Sequence, residues 1–168
     1  MAKVIVLCGK IASGKSFYAD RLKEKIKAII LSLDSLMLKL SDSCLGKKHD
    51  DIADRCQKYL YELAEQIIKT GTNVIIDYGY WSRKERLKAR NYFLERGIEV
   101  EIHYIKKSEE TRIKQLEERN IIFEDRYKKN PNERLYIINH ELRERLDAKF
   151  EEPLADEIDQ IIDEKSYN

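Results

Sequence analysis

The stretch Val4-Ile5-Val6-Leu7-Cys8-Gly9-Lys10-Ile11-Ala12-Ser13-Gly14-Lys15-Ser16 decides how the rest of the chain is read. From Lys3 an apolar run continues to Cys8 and breaks at Gly9, the pattern of a strand buried on both faces of a parallel sheet. Gly9 through Ser16 then satisfies G-x-x-x-x-G-K-[ST], and helical spacing takes over with Phe17, Leu22 and Ile26. In such a loop glycines let the backbone curl until consecutive N–H groups point inward, and the helix N-terminus adds its dipole. Gly9, Ile11, Ala12, Ser13, Gly14, Lys15, Ser16 and Phe17 are the expected nucleotide-binding residues. Lys15 should reach the β- and γ-phosphates and Ser16 should ligate Mg²⁺.

Outward from this loop, strands and helices alternate. An apolar run over Ala28–Leu33 ends at Asp34; Asp51–Thr70 carries apolar residues at spacings of three and four, with Gly71 as its C-terminal cap. Asn73–Asp77 repeats the run ending in aspartate, and Ser82 with Glu85 forms a capping box opening a helix to Gly97. Ile98–Ile105 alternates apolar with polar residues, which predicts a more exposed strand. Ser108 caps a charged helix to about Arg119, residues 120–130 read as a mobile segment, and Pro131 opens a helix through Leu146. Periodicity leaves Phe150–Asp163 open between helix and strand. The alternation predicts one three-layer α/β domain over residues 1–168 with a parallel sheet.

Composition narrows the function classes. Of 168 residues, 42% are hydrophobic and 38% charged, so a core can form and disorder is excluded. No apolar stretch is long enough to span a bilayer, and the N-terminal run is too short for a signal peptide, which predicts a cytoplasmic address without membrane contact. Cys8, Cys44 and Cys56 lack C-x-x-C spacing, and His49, His103 and His140 lack metal-ligand spacing, so neither disulfides nor zinc are expected. The 32 basic and 31 acidic residues exclude a strongly basic nucleic-acid binder. Residues 151–168 hold seven acids and one lysine, −6, so residues 1–150 sum to +7 against a total of +1, which suits an anionic ligand.

Parallel strands bring their C-terminal ends to one sheet edge, so Asp34 and Asp77 should both face the phosphates. Asp77, after Asn73-Val-Ile-Ile76, has the form of a carboxylate that holds Mg²⁺. Asp34 is either the base that takes a proton from an acceptor hydroxyl or the N-cap of a helix over Ser35–Leu40. Arg112, Arg119 and Arg126, spaced by seven, are candidates to stabilise a migrating phosphoryl group from a closing segment, or to pair with neighbouring glutamates. Arg83 and Arg86 are candidates to clamp an anionic acceptor. Tyr78, Tyr80 and Trp81 would stack on a substrate or pack in the core.

Together, GKIASGKS at 9–16, LSLD at 31–34, NVIIDYGYWSRKER at 73–86, TRIKQLEERN at 111–120 and KFEEPLADE at 149–157 resemble the P-loop kinases of the AAA-type ATP-binding group. These are relatives of phage polynucleotide kinase, chloramphenicol phosphotransferase and the zeta-toxin kinases. The resemblance implies a P-loop NTPase fold with a five-stranded parallel sheet, a final strand near Ile158 and a helical lid at about 112–131. It implies an ATP- and Mg²⁺-dependent phosphotransferase acting on a hydroxyl of a small-molecule or nucleotide-like acceptor, with Asp34 as base and Arg119 as lid arginine. Polynucleotide kinases of this group carry an arginine three residues after the catalytic aspartate, where this chain has Met37, so a nucleic-acid end is not the favoured acceptor. A 5′-hydroxyl polynucleotide kinase and a nucleotide switch without an acceptor are the alternatives.

Overall fold

A computed structural model describes residues 1–40 and 48–163; Cys44 lies outside the described residues. The first strand, β1 (Val4–Cys8), has no residue more than 1% exposed. Its side chains alternate between two cores: Val4, Val6 and Cys8 face one side of the sheet, Ile5 and Leu7 the other. Each such side chain contributes on the order of 1.5–3 kcal/mol by leaving water. Helix α1 (Lys15–Ile26) covers the second face through Ala19 and Leu22. The first face is covered by α3 (His49–Lys69), through Leu60, Tyr61 and Ala64, and by α4 (Arg83–Leu94), through Ala89 and Phe93.

Between these helices run β2 (Ala28–Ser32), α2 (Leu33–Leu40), β3 (Asn73–Asp77), β4 (Val100–Ile105), α5 (Glu109–Lys129), α6 (His140–Asp147) and β5 (Gln160–Ile162). The five strands form one parallel sheet in the order β2-β3-β1-β4-β5, giving the three-layer α/β architecture that the alternation predicts. The ambiguous tail therefore ends in a strand, with Tyr104 opposite Ile161. The Ser82–Glu85 capping box is present as read, and Gly71 turns the chain after α3 at φ 83°. Among the described residues, no helix is long and apolar enough to cross a membrane.

Four local expectations are corrected. The strand ahead of Asp34 stops at Ser32, whose hydroxyl accepts from the Ser35 N–H at 3.3 Å; Asp34 sits inside the first turn of α2 and is not its N-cap. β4 is buried, since its polar positions are satisfied internally: Tyr18 bonds His103 Nδ1 at 2.8 Å, and Glu101 bonds Nε2 at 2.9 Å. Burial pushes the His103 imidazole below its ordinary pKa, against the pull of Glu101. α5 runs unbroken to Lys129, so residues 120–129 are helical. Pro131 opens no helix. The backbone of Ile138 is held by the Asn120 side chain, which donates to its carbonyl at 2.7 Å and accepts from its N–H, and α6 begins only after Asn139 caps it.

The acidic tail is a structural element. Glu157, 1% exposed, accepts from Arg86 Nε at 2.8 Å and from Arg83 at 3.2 Å, while Asp156 pairs with Arg83 and Asp159 with Arg90. Burial raises the Glu157 carboxyl, but the Arg86 hydrogen bond, the Leu154 N–H and the two arginine charges outweigh it and hold it low. Glu157→Ala should cost about 3–5 kcal/mol in urea unfolding, because Arg86, 0% exposed, would be left charged and unpaired. Replacing both residues by leucine should recover most of that loss.

Candidate active site

At the C-terminal end of β1 the chain enters a tight curl. Gly9 donates its N–H to Gly79 O at 3.2 Å, and a Cβ at Gly9 would lie 2.6 Å from Ile105 O, so a larger residue does not fit. Ala12 and Gly14 are left-handed, at φ 56° and 94°. No side chain caps α1, leaving its first N–H groups to the loop cavity. Lys15 folds back over the loop and donates to Gly9 O at 3.0 Å and Lys10 O at 2.9 Å. Burial lowers its pKa, opposed by the charges of Asp77 and Asp34. Ser16 donates to Asp77 Oδ2 at 2.7 Å. Ser13, 1% exposed, has a hydroxyl with no hydrogen-bond partner among the described residues.

This loop floors a cleft of about 1430 Å³ that is also lined by Asp34, Met37, Asp77, Tyr78, Trp81 and Arg119. Asp34 opens onto the cleft deep between its walls, and that enclosure pushes its carboxyl above the ordinary range; Asp77 adds to the push, while Lys15 and Arg119 oppose it. Arg119 stands with its guanidinium 5.4 Å from the Phe123 ring centroid and its Nε buried without a partner. Tyr136 reaches the same cleft from the segment after α5, its hydroxyl raised by burial and then by the Asp34 charge. The sequence reading missed Tyr136, which lies on an irregular segment that the Asn120 clamp helps to fix.

The three arginines spaced by seven do not act alike. Arg112 is 3% exposed and committed: it donates to Ile11 O at 2.9 Å and grips Asp147 with both terminal nitrogens, at 3.2 and 2.9 Å. It braces the loop and is not among the residues lining the cleft. Arg126 pairs with Glu133 and does not line the cleft. Arg83 and Arg86 are bound to the tail carboxylates, and Arg86 also donates to Tyr80 O at 3.1 Å, so neither is presented to an acceptor. Tyr80 is a core residue bonded to Tyr61 at 2.9 Å, whereas Tyr78 and Trp81 line the cleft. Phe17 lines its outer edge, beside Arg21.

The donor set fits a phosphate and a hard cation. A curled loop, a helix N-terminus, an ammonium and an orphaned hydroxyl are phosphate ligands, and a hydroxyl beside a carboxylate suits Mg²⁺, which takes most of its ligands from phosphate and water. Fold and loop together define a P-loop kinase-like domain. Residues 4–130 match the AAA domain family, and the chain belongs to it. Among solved structures it is similar to the Mycobacterium tuberculosis APS kinase CysC in complex with AMPPNP and APS, at 18% identity and TM-score 0.69 over 97% of this chain and 88% of that one. A sugar kinase from Janibacter sp. is similar at 15% identity and TM-score 0.68, over 97% and 86%. Chaetomium thermophilum Kti12 in complex with ADP-AlF3 is similar at 16% identity and TM-score 0.65, over 95% and 87%. No curated protein matches the sequence.

Arg112→Met should weaken folding by about 3 kcal/mol in urea unfolding and loosen nucleotide binding, since Asp147 and the Ile11 carbonyl lose a shared partner. Unchanged stability and nucleotide affinity with lost turnover would instead assign Arg112 to the reacting phosphate.

Proposed function

We propose that this protein is an ATP-dependent phosphotransferase that moves the γ-phosphoryl group of ATP to a hydroxyl of a small-molecule or nucleotide-like acceptor. The observation that carries this reading is the convergence of Lys15, the Ser16–Asp77 pair, Asp34 and Arg119 on one cleft. Lys15 and the inward loop N–H groups neutralise phosphate oxygens. Ser16 and Asp77 hold Mg²⁺, which supplies charge neutralisation on the phosphates when bound. Asp34 orients the acceptor hydroxyl and accepts its proton as the oxygen–phosphorus bond forms; the bond from the γ-phosphorus to the bridging oxygen breaks, and ADP departs with that electron pair. Arg119 faces the transferring group, and Arg112 positions the loop.

The lid of this reading begins with the expected 112–131 segment and extends to Tyr136, which brings a second hydroxyl toward Asp34 when the cleft closes. A cytoplasmic location and action without a membrane partner complete the reading, with a nucleic-acid acceptor possible but not favoured.

Lys15→Ala should abolish most nucleotide binding in calorimetry. Asp34→Asn should keep ATP affinity and lower kcat about 10²–10⁴-fold. Equal loss of binding in both variants would remove Asp34 from the base role, and ADP formation independent of any added hydroxyl compound would favour a nucleotide switch. Because the base works ionised and its pKa is raised, activity should fall as pH drops, with the acid limb displaced above the ordinary aspartate range. The acid limb of kcat/KM against pH measures this.

A further inference from the structure

The cleft divides by charge. Lys15 and Arg119 occupy its phosphate side, while on the α3–α4 side an alcove of about 250 Å³ shares Asp50, Tyr78 and Glu85 with the main cleft. Asp50, Asp51, Asp54 and Glu85 bring four carboxylates to this alcove, and Lys88 is the one cation lining it among the described residues. Lys88 stands 3.9 Å from Asp54, and Arg55 stands 3.5 Å from Asp51, both as exposed pairs that compensate little charge. Glu85 Oε2 accepts from the Ser82 N–H, and Asp50 has no ion pair among the described residues. His49 lies in the main cleft, outside the alcove.

The dipole of α3 accounts for Asp50 and Asp51 in its first turn. It does not account for Gln57, which is 8% exposed, opens its side-chain amide onto the alcove and makes no side-chain hydrogen bond among the described residues. A small group that enters the alcove meets this amide as a ready hydrogen-bond acceptor and donor. The Tyr78 hydroxyl links this alcove to the base: burial, then the charges of Glu85, Asp34, Asp50 and Asp54, raise its pKa. The arginines that would have reversed the charge, Arg83 and Arg86, are held by Asp156 and Glu157.

We infer that the acceptor carries a protonated amine beside its hydroxyl, as in an amino alcohol or amino sugar, with the ammonium seated among Asp50, Asp54 and Glu85 and donating to the Gln57 amide oxygen. The hydroxyl then faces Asp34 across Tyr78. An anionic acceptor meets repulsion there, and the alcove's volume admits one small polar fragment, not a strand of nucleic acid. This rests on the phosphotransferase reading above and narrows its substrate class.

Matched triads test it: serinol, glycerol and glycerate, and glucosamine, glucose and gluconate. Transfer is read by ADP release, and binding by ligand-detected NMR with a non-hydrolysable ATP analogue present. The amine member of a triad should be preferred at least tenfold in kcat/KM. The double variant Asp50→Asn/Asp54→Asn and the variant Gln57→Leu should raise KM for that amine at least tenfold while ATP affinity holds; both change exposed or pocket-lining groups, and thermal melting checks their folding. Equal use of neutral and amine members, preference for the anion, or amine binding unchanged in the double variant would overturn the inference while leaving phosphoryl transfer in place. Amine binding that the double variant abolishes, without transfer to any member, would overturn the phosphotransferase reading and leave the amine site standing.

Discussion

The Lys15 ammonium is held by two carbonyls of the loop it belongs to, at 3.0 and 2.9 Å, and has no carboxylate within bonding distance among the described residues. A cation so placed is stable only where the surrounding field is arranged for it, and the sheet makes that arrangement. Asp77 is the last paired residue of β3, opposite Leu7 on one side and Ser32 on the other. Gly9 and Asp34 each follow two residues beyond those partners, so register alone brings the loop and both carboxylates, Asp77 and Asp34, to one edge. A slip of one residue would turn Asp77 to the other face. The double burial of β1, with cores on both sides, fixes that register.

The same need for positive charge explains why equal spacing did not mean equal role along α5. Seven residues turn a helix by nearly two full turns, so Arg112, Arg119 and Arg126 share a face. They also advance about 10 Å each along the axis, farther than one phosphate group extends. Arg112 therefore meets the loop from behind, Arg119 reaches the open cleft, and Arg126 has passed beyond it to Glu133. Position along the axis, and not the face, separates brace, candidate catalyst and surface ion pair.

What was legible in the sequence was local. The Gly9–Ser16 loop, the Ser82–Glu85 box and the strand ending at Asp77 are each encoded within a few residues, and each stands where it was read. What was illegible depended on partners far along the chain. β4 looked half exposed because nothing in its own residues shows that Tyr18, 85 positions away, bonds His103. Arg86 looked free because Glu157, 71 positions away, is what consumes it. The helix start was placed at Pro131 because the Asn120 clamp on Ile138 has no local signature, and with it went the placement of Tyr136 on the cleft.

The charge arithmetic shows the same division more sharply. A body of +7 against a tail of −6 suggested a basic surface open to an anion, yet Glu157, Asp156 and Asp159 spend the tail on Arg86, Arg83 and Arg90. None of those arginines lines the alcove, where Asp50, Asp54 and Glu85 are among the charges a ligand meets. On the opposite side Lys15 and Arg119 keep theirs. A tail that pairs with one end of a cleft and not the other therefore makes a bipolar site from a nearly neutral chain, with phosphate drawn to one pole and a cation to the other.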